Sequence, residues 1–296
     1  MNDLLRGEIY LTAEIITGLL IAEVILRLKI PDVIMKHFAP KNIPPVTALA
    51  VAVSAGSSKA GAAVISSSLS RGEISGSSAL WSVLMLPLPS YLRRWPSTFA
   101  LSLGMAGKAG GIFAVSLLAR SILRFMIALH FLRRENRNKT FQTHNADSFP
   151  ESRKYFTLHS LTKTLPIAWI FFALAYILVP VADGIMREIF ADGDTFLPLS
   201  GWAVSAASIG HVNAALSIAG GAIHSGELSV SQGVFALILG SGLGTVTRIL
   251  RQNAGYYYGL FEKRTATKML MMNFATIIPL IMINLIFAGL ALSLWP

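Results

Sequence analysis

The sequence predicts an all-α polytopic membrane protein made of two inverted-topology repeats, each with a helix, a re-entrant hairpin, a broken helix and a closing helix. Composition is the first observation behind this prediction. Of the 296 residues, 53% are hydrophobic and 14% are charged, which leaves too few polar residues to cover a soluble globule. There is no cysteine, which excludes disulfides, thiolate metal ligands and cysteine nucleophiles.

The second observation is a series of long apolar runs, not all of which need be simple crossings. The first run has about the 20 residues that a spanning helix needs. It lacks the basic start and the cleavage pattern of a signal peptide, so we expect it to be retained. The runs cover residues 7–28, 45–69, 74–92, 98–132, 165–181, 199–223, 228–250 and 269–295.

One clearly hydrophilic connection divides the chain into nearly equal parts. It is rich in basic residues and lies between two apolar runs, which is typical of a linker. The predicted organisation is therefore a first repeat at residues 1–134, a cytoplasmic basic linker at 135–162 and a second, inverted repeat at 163–296. Placement of basic residues in such loops explains the net charge of +10 better than nucleic-acid binding does.

An internal repeat is the third observation. The segment AVSAGSSKAGAAVISSSLSRGEISGSSALW is echoed by AVSAASIGHVNAALSIAGGAIHSGELSVSQGVF. An alternative is that small-residue membrane helices resemble each other by composition. Identities at one common offset favour the repeat, and they pair Gly72 with Gly226, Glu73 with Glu227, Ser75 with Ser229, Ser77 with Ser231, and Arg94 with Arg248.

Charge asymmetry predicts that the two repeats are inverted. Basic residues follow the first run and fill the central linker, which places both in the cytoplasm by the positive-inside rule. The fifth run is instead followed by Asp183, Glu188, Asp192 and Asp194, so that end is expected outside. The N-terminus is then expected outside the cell and the linker inside. The chain is expected to be a multi-pass protein of the cell membrane.

Two features in each half predict a site at the membrane midplane. SAGSSKAGA, within residues 45–69, and residues 205–215 suit hairpin tips better than continuous helices, and such backbone must line a cavity or be buried in protein. Interruptions are expected at residues 87–89, which hold two prolines, and at residues 240–244, which hold three glycines. Paired interruptions in inverted halves point to a transporter's binding site.

These motifs carry a resemblance. The motifs that carry the resemblance are AVSAGSSKAG, RGEIS and LPLPSY in the first half and AVSAASIGHVN, SGELS and GSGLGT in the second. The chain resembles the nucleoside recognition (Gate) domain membrane proteins. That repeat is similar to the transport core of concentrative nucleoside transporters and to the membrane part of ferrous iron transporter B. The resemblance implies substrate binding by Ser54, Ser57, Ser58, Lys59, Pro87, Pro89, Ser90, Tyr91, Ser205, Ser208, His211, Asn213, Gly240, Ser241, Gly242 and Thr245. The tips contain no Asp, Glu or Gln, and the cargo stays open.

Basic residues suggest an anionic cargo. Lys59 and His211 lie on the two tips, and Arg94 and Arg248 follow the two interruptions. Arginine forks bind phosphate or carboxylate, and helix N-termini would add positive dipole ends. The alternative for these arginines, and for Arg93 and Arg251, is that they snorkel to the interface.

Lys59 is an ionisable residue expected at membrane depth, where such residues are costly and usually functional. Its alternative role is a structural pair with Glu14 or Glu23 of the first apolar run. Either glutamate is also a candidate coupling residue, since desolvation would let it carry a proton. Snorkelling is the expectation for Arg120 and Arg124.

The sequence as a whole predicts a secondary-transporter-like carrier of a small polar, anionic solute, nucleoside-like or phosphorylated. One alternative is a ferrous or divalent-metal permease, and another is a non-transporting scaffold that binds a partner protein. The expected partners are the solute, the lipid bilayer and further copies of the chain, with no nucleic acid. Neither a cofactor nor an enzymatic activity is expected.

Two further segments carry weaker signals. The run GYYYGLF, residues 255–261, is typical of an aromatic belt or short helix at the membrane surface. Lys108 lies in GMAGKAGG, where the glycines would permit a kink or a close approach.

Overall fold

The computed structural model of this protein describes residues 43–137 and 197–294, and in that part of the chain all regular structure is helical. The predictions for residues 7–28, for the linker, for the run 165–181 and for Glu14 and Glu23 lie outside the described residues. The helices are α1 Pro45–Ser54, α2 Ser58–Ser70, α3 Gly76–Met85, α4 Pro87–Glu135, α5 Leu199–Gly210, α6 Val212–His224, α7 Val230–Arg248, a π-helix Ile249–Ala254, α8 Gly255–Leu260 and α9 Lys263–Leu294.

Among residues 43–137 and 197–294, three stretches are long and apolar enough to cross a membrane: Thr98–Glu135, Val230–Leu260 and Lys263–Ser293. The first and third keep much of their apolar surface outside the protein core. Side chains such as Met126, Ile286 and Phe287 are exposed on them. Continuous apolar exposure of this kind is unusual on a soluble protein. These helices therefore indicate a lipid environment.

The chain divides into two compact units. The described part of the first unit comprises residues 43–93, 121–137 and 253–273, and that of the second comprises residues 94–120, 197–252 and 274–294. Each unit contains one pair of short helices, α1 with α2 in the first and α5 with α6 in the second. At 1.5 Å per residue these helices are about 15–20 Å long, shorter than the ~30 Å hydrocarbon core of a bilayer.

Local sequence signals explain where the helices begin and end. The hydroxyls of Ser57, Ser75 and Ser229 cap α2, α3 and α7 by accepting hydrogen bonds from backbone N–H groups of the first turn. Ser229 and Gln232 form a complete capping box. Gly72 and Gly226, with φ of 72° and 80°, lie in the turns that follow α2 and α6; a positive φ favours glycine there.

Helix starts recur at one spacing in the two parts of the chain. Three helices of the second part begin 154 residues after three helices of the first part: Leu199 after Pro45, Val212 after Ser58, and Val230 after Gly76. The same spacing separates the C-terminal residues of α2 and α6, Ser70 and His224. It is the offset that the sequence identities predict.

A sharp turn interrupts α4 at Ala106 and Gly107, where the backbone leaves the helical region and Gly107 has φ 55° and ψ −138°. The two arms, residues 87–105 and 108–135, then lie side by side. Trp95 Nε1 donates a hydrogen bond to the Ala114 carbonyl at 3.3 Å. A Cβ atom on Gly110 would lie only 1.8 Å from the carbonyl oxygen of Ser102. The closing helix therefore starts after the turn and not at residue 98.

Candidate functional site

The apex of the first short-helix pair is the three-residue connection Ala55–Gly56–Ser57. Ser54 is buried, and its hydroxyl donates to the Val51 carbonyl at 2.6 Å. Ser57 uses its hydroxyl as the cap of α2. Ser58 and Lys59 occupy the first turn of α2 and are half-buried. The interruption thus falls within SAGSSKAGA, and Lys59 lies at the N-terminal, dipole-positive end of α2.

Two contacts hold this apex in the first unit. The hydroxyl of Tyr256 donates a hydrogen bond to the backbone carbonyl of Lys59. The guanidinium of Arg93 donates to the Gly56 carbonyl at 3.4 Å. Snorkelling to the interface is the predicted alternative for Arg93, but its guanidinium contacts the apex.

The expected interruption at Pro87 and Pro89 is much smaller than predicted. α3 ends at Met85 and α4 starts at Pro87, so Leu86 alone separates them, with φ −62° and ψ −30°. Because proline has no N–H group, it tolerates the first turn of a helix. Pro87 is exposed, Pro89 and Tyr91 are half-buried, and Ser90 is buried. Leu86 therefore joins α3 directly to α4, and the backbone at this joint is not unwound.

Close packing brings the joint next to the first helix pair. A Cβ atom on Gly61 of α2 would lie 2.6 Å from the Ala50 carbonyl oxygen and 3.1 Å from Leu86 Cδ2. Glycine is therefore required for α2 to contact both α1 and the joint. Four of the predicted binding residues therefore lie in the same unit as the joint: Ser54, Ser57, Ser58 and Lys59.

The apex of the second pair lies at His211, in extended conformation with φ −142° and ψ 104°. His211 and Asn213 are exposed. His211 makes no side-chain cap to α6, so the first turn there has no side-chain acceptor. Ser205 is buried and donates to the Ala236 carbonyl at 3.0 Å. The Ser208 hydroxyl is also buried, and it has no hydrogen-bond partner within the described ranges.

The predicted interruption at residues 240–244 is wrong. α7 runs continuously from Val230 to Arg248 through the GSGLG sequence. A Cβ atom on Gly242 would lie 2.7 Å from Ile281 Cγ2, and one on Gly244 would lie 3.1 Å from Ile209 Cα. Ser241 and Thr245 bond back to carbonyls one turn earlier, at 3.2 and 2.7 Å. The glycines permit close helix contacts because they lack a side chain, and the irregular backbone is the π-helix that follows.

The remaining predicted arginines, Arg94 and Arg248, are both exposed. Arg94 lies on the first arm of α4, and Arg248 is the last residue of α7. Both belong to the second unit, whereas Lys59 belongs to the first.

The tyrosine run GYYYGLF is not a surface belt. Tyr256 and Tyr257 in α8 are 5% and 6% exposed and pack in the core of the first unit with Ile65 and Phe261. Ser66 of α2 donates to the Leu260 carbonyl at 2.6 Å. The contacts of α8 in this core therefore stabilise the first helix pair.

Sequence reasoning missed two polar clusters in the first unit. Glu135 accepts hydrogen bonds from the hydroxyls of Ser75, Ser77 and Ser78. Arg124 does not simply snorkel, because it donates to Asn273 Oδ1 at 2.7 Å. The one available signal for the second cluster was the amide of Asn273 inside an apolar run.

Within residues 43–137 and 197–294, no group of three or more His, Asp or Glu side chains is arranged to hold a metal ion. The chain matches no protein-family model, no curated protein and no solved structure.

Proposed function

We propose that this protein is a multispanning carrier of a small polar, anionic solute, and that the apex of each short-helix pair carries candidate binding residues. The observation that carries the proposal is the two pairs themselves. Each consists of helices too short to cross a bilayer, and each is followed by a further helix, α3 or α7, that begins at the same spacing in the chain. Such pairs would turn back within the membrane and place their apices at depth, where transporters bind substrate.

The common spacing of 154 residues supports the repeat. It relates the starts of three helices and two glycines of positive φ, Gly72 and Gly226. Matching boundaries are stronger support than composition, because small-residue helices need not begin and end at a common offset. The inverted orientation rests on the distribution of basic and acidic residues along the chain.

Charge and hydrogen-bond donors at the apices favour an anionic solute. Lys59 is in the first turn of α2, and His211 precedes the first turn of α6. Both helices direct their N–H groups and positive dipole ends toward the apex. The resemblance to nucleoside recognition proteins makes nucleosides and phosphorylated metabolites the first solutes to examine.

Thermal unfolding of the purified protein against a ligand series tests the proposal. The series comprises nucleosides, nucleotides, phosphorylated metabolites, carboxylates and divalent metals. A ligand that binds the native state raises the unfolding midpoint by mass action. We expect an anionic solute to raise the midpoint of the unmodified protein, and Lys59→Ala and the double variant Arg94→Ala/Arg248→Ala to reduce this shift. Lys263→Ala is the control, since Lys263 is an exposed lysine at the start of α9.

The outcomes separate the three functions. An anion whose effect needs Lys59 supports the carrier, and uptake of that anion into proteoliposomes then establishes transport. A shift by divalent metals alone replaces the carrier with a metal permease. No ligand effect, with variants that are merely less stable, leaves the scaffold as the better account.

A further inference from the structure

Arg124 lies on the second arm of α4, residues 108–135, within the stretch Thr98–Glu135 that is long and apolar enough to cross a membrane. Along the helix it is about 13 Å from Arg133 at the charged end. Its partner Asn273 is about 15 Å along α9 from Lys263 at the start of that helix. The contact between Arg124 and Asn273 is therefore well away from the charged ends of both helices.

The contacts of Arg124 are few and neutral. Its Nη2 donates to Asn273 Oδ1 at 2.7 Å, and Asn273 Nδ2 donates to the hydroxyl oxygen of Tyr257 at 3.4 Å. Asn273 and Tyr257 are 1% and 6% exposed. The Nε of Arg124 is buried and has no hydrogen-bond partner among residues 43–137 and 197–294. The side chain as a whole is half-buried, so part of it remains reachable.

Charge is unbalanced at this cluster. Arginine remains protonated in proteins, whereas the asparagine amide and the tyrosine hydroxyl are neutral. The only ion pair found in the described ranges joins Arg71 to Glu73 and does not involve Arg124. Ionised side chains at membrane depth are otherwise paired or mark a ligand pathway. A guanidinium whose buried Nε–H has no partner suits a planar or tetrahedral anion, because an arginine can bind such a group with two parallel hydrogen bonds.

We propose that Arg124, Asn273 and Tyr257 form an anion-binding site for a carboxylate or phosphate group within the first unit. The guanidinium supplies the charge and the charge-assisted hydrogen bonds. The Tyr257 oxygen accepts from Asn273, so its own proton is directed to a further acceptor. Neighbouring Tyr256 donates to the Lys59 carbonyl, which connects the site to the first apex through adjacent residues of α8. The site does not depend on the carrier function.

Binding is tested with the full-length protein in phosphate-free dodecyl maltoside micelles, by thermal unfolding followed through tryptophan fluorescence. Sodium phosphate and sodium acetate are titrated at constant ionic strength set with sodium chloride. A separate arm adds phosphatidylglycerol to the micelles. A shift with phosphate or acetate identifies a soluble anion, and a shift with phosphatidylglycerol alone identifies a lipid headgroup phosphate.

We expect at least one probe to raise the midpoint by several degrees, and Arg124→Gln to abolish the shift. Tyr257→Phe keeps the ring and removes one donor, so it should raise the probe concentration needed for half of the shift several-fold. If Arg124→Gln fails to fold, Tyr257→Phe provides the test of the site. Arg133→Gln, on an exposed arginine of the same arm, should leave the shift unchanged.

Three results would overturn the site. They are the absence of a shift by all three probes, a shift that persists in Arg124→Gln and Tyr257→Phe, and an equal loss in Arg133→Gln. The last would assign the effect to general surface charge and not to this cluster.

Discussion

Gly240 of α7 lies directly against the backbone of Ser205 in α5. A Cβ atom on Gly240 would be 2.2 Å from the Ser205 carbonyl oxygen and 2.7 Å from its Cα. The Ser205 hydroxyl donates to the Ala236 carbonyl of α7 at 3.0 Å, one turn before the glycine. The two helices thus approach to backbone contact, and a hydrogen bond stabilises the same junction.

Gly240→Ala should separate α5 from α7 and destabilise the protein. The obstacle is backbone, which cannot rotate away, so we expect a cost of about 1–3 kcal/mol, as for an overpacked core. The measurement is thermal unfolding in detergent. Gly221→Ala is the matched control, because Gly221 is also helical but has nothing within 4 Å of a new Cβ. It should be neutral or stabilise by about 0.5–1 kcal/mol. Equal behaviour of the two variants would contradict the packing at Gly240.

Tyr256→Phe should loosen the first apex. The substitution removes the hydrogen bond to the Lys59 carbonyl and leaves that carbonyl without this donor. Loss of such a bond typically costs about 0.5–1.5 kcal/mol. Hydrogen exchange of the backbone around residues 55–61 should also become faster. Tyr258→Phe is the control, because the Tyr258 hydroxyl contacts the Thr267 hydroxyl at an exposed position. A variant with unchanged exchange at the apex would show that this contact does not hold α2.

Gly107→Ala should disfavour the turn between the two arms of α4. No atom lies within 4 Å of a new Cβ on Gly107, so the cost arises from its backbone conformation alone. A non-glycine residue in a sparsely populated φ/ψ region costs about 1–3 kcal/mol. Gly104→Ala is the control on the same arm, since Gly104 is helical and equally open. We expect a lower unfolding midpoint for Gly107→Ala and an equal or higher midpoint for Gly104→Ala. The reverse order would rule out this turn.

Glu135→Ala should destabilise the start of α3. Its carboxylate accepts from Ser75 at 2.8 Å and from Ser78 at 3.2 Å, and it also contacts Ser77. Hydrogen bonds to a charged group contribute about 1.5–3 kcal/mol when well enclosed, and partial exposure here should bring the loss to about 1 kcal/mol. Glu73→Ala is the comparison, because Glu73 pairs with Arg71 at an exposed position and should cost less. Limited proteolysis near residues 71–77 measures loosening at the start of α3. Faster cleavage in Glu73→Ala than in Glu135→Ala would contradict the stabilising role of Glu135.

Much of the helical outline was predictable because its signals are local. The small-residue segments within residues 45–69 and 205–215 are poor continuous helices by their own composition, so these two interruptions could be placed without knowledge of distant contacts. The turn at Gly107 was signalled in the same way by the glycines around Lys108. The roles proposed for the apex side chains stay predictions, since they concern a solute.

The sequence alone determined the apolar helical class, the spacing of 154 residues and the interruptions in residues 45–69 and 205–215, because composition and backbone preference are properties of single residues and their neighbours. Only the tertiary structure decided what Gly240, Tyr256 and Arg124 contact. A glycine can unwind a helix or admit a neighbour, a tyrosine can face lipid or core, and an arginine can reach water or an amide. Which of these occurs depends on the atoms opposite, and those come from residues far away in the chain.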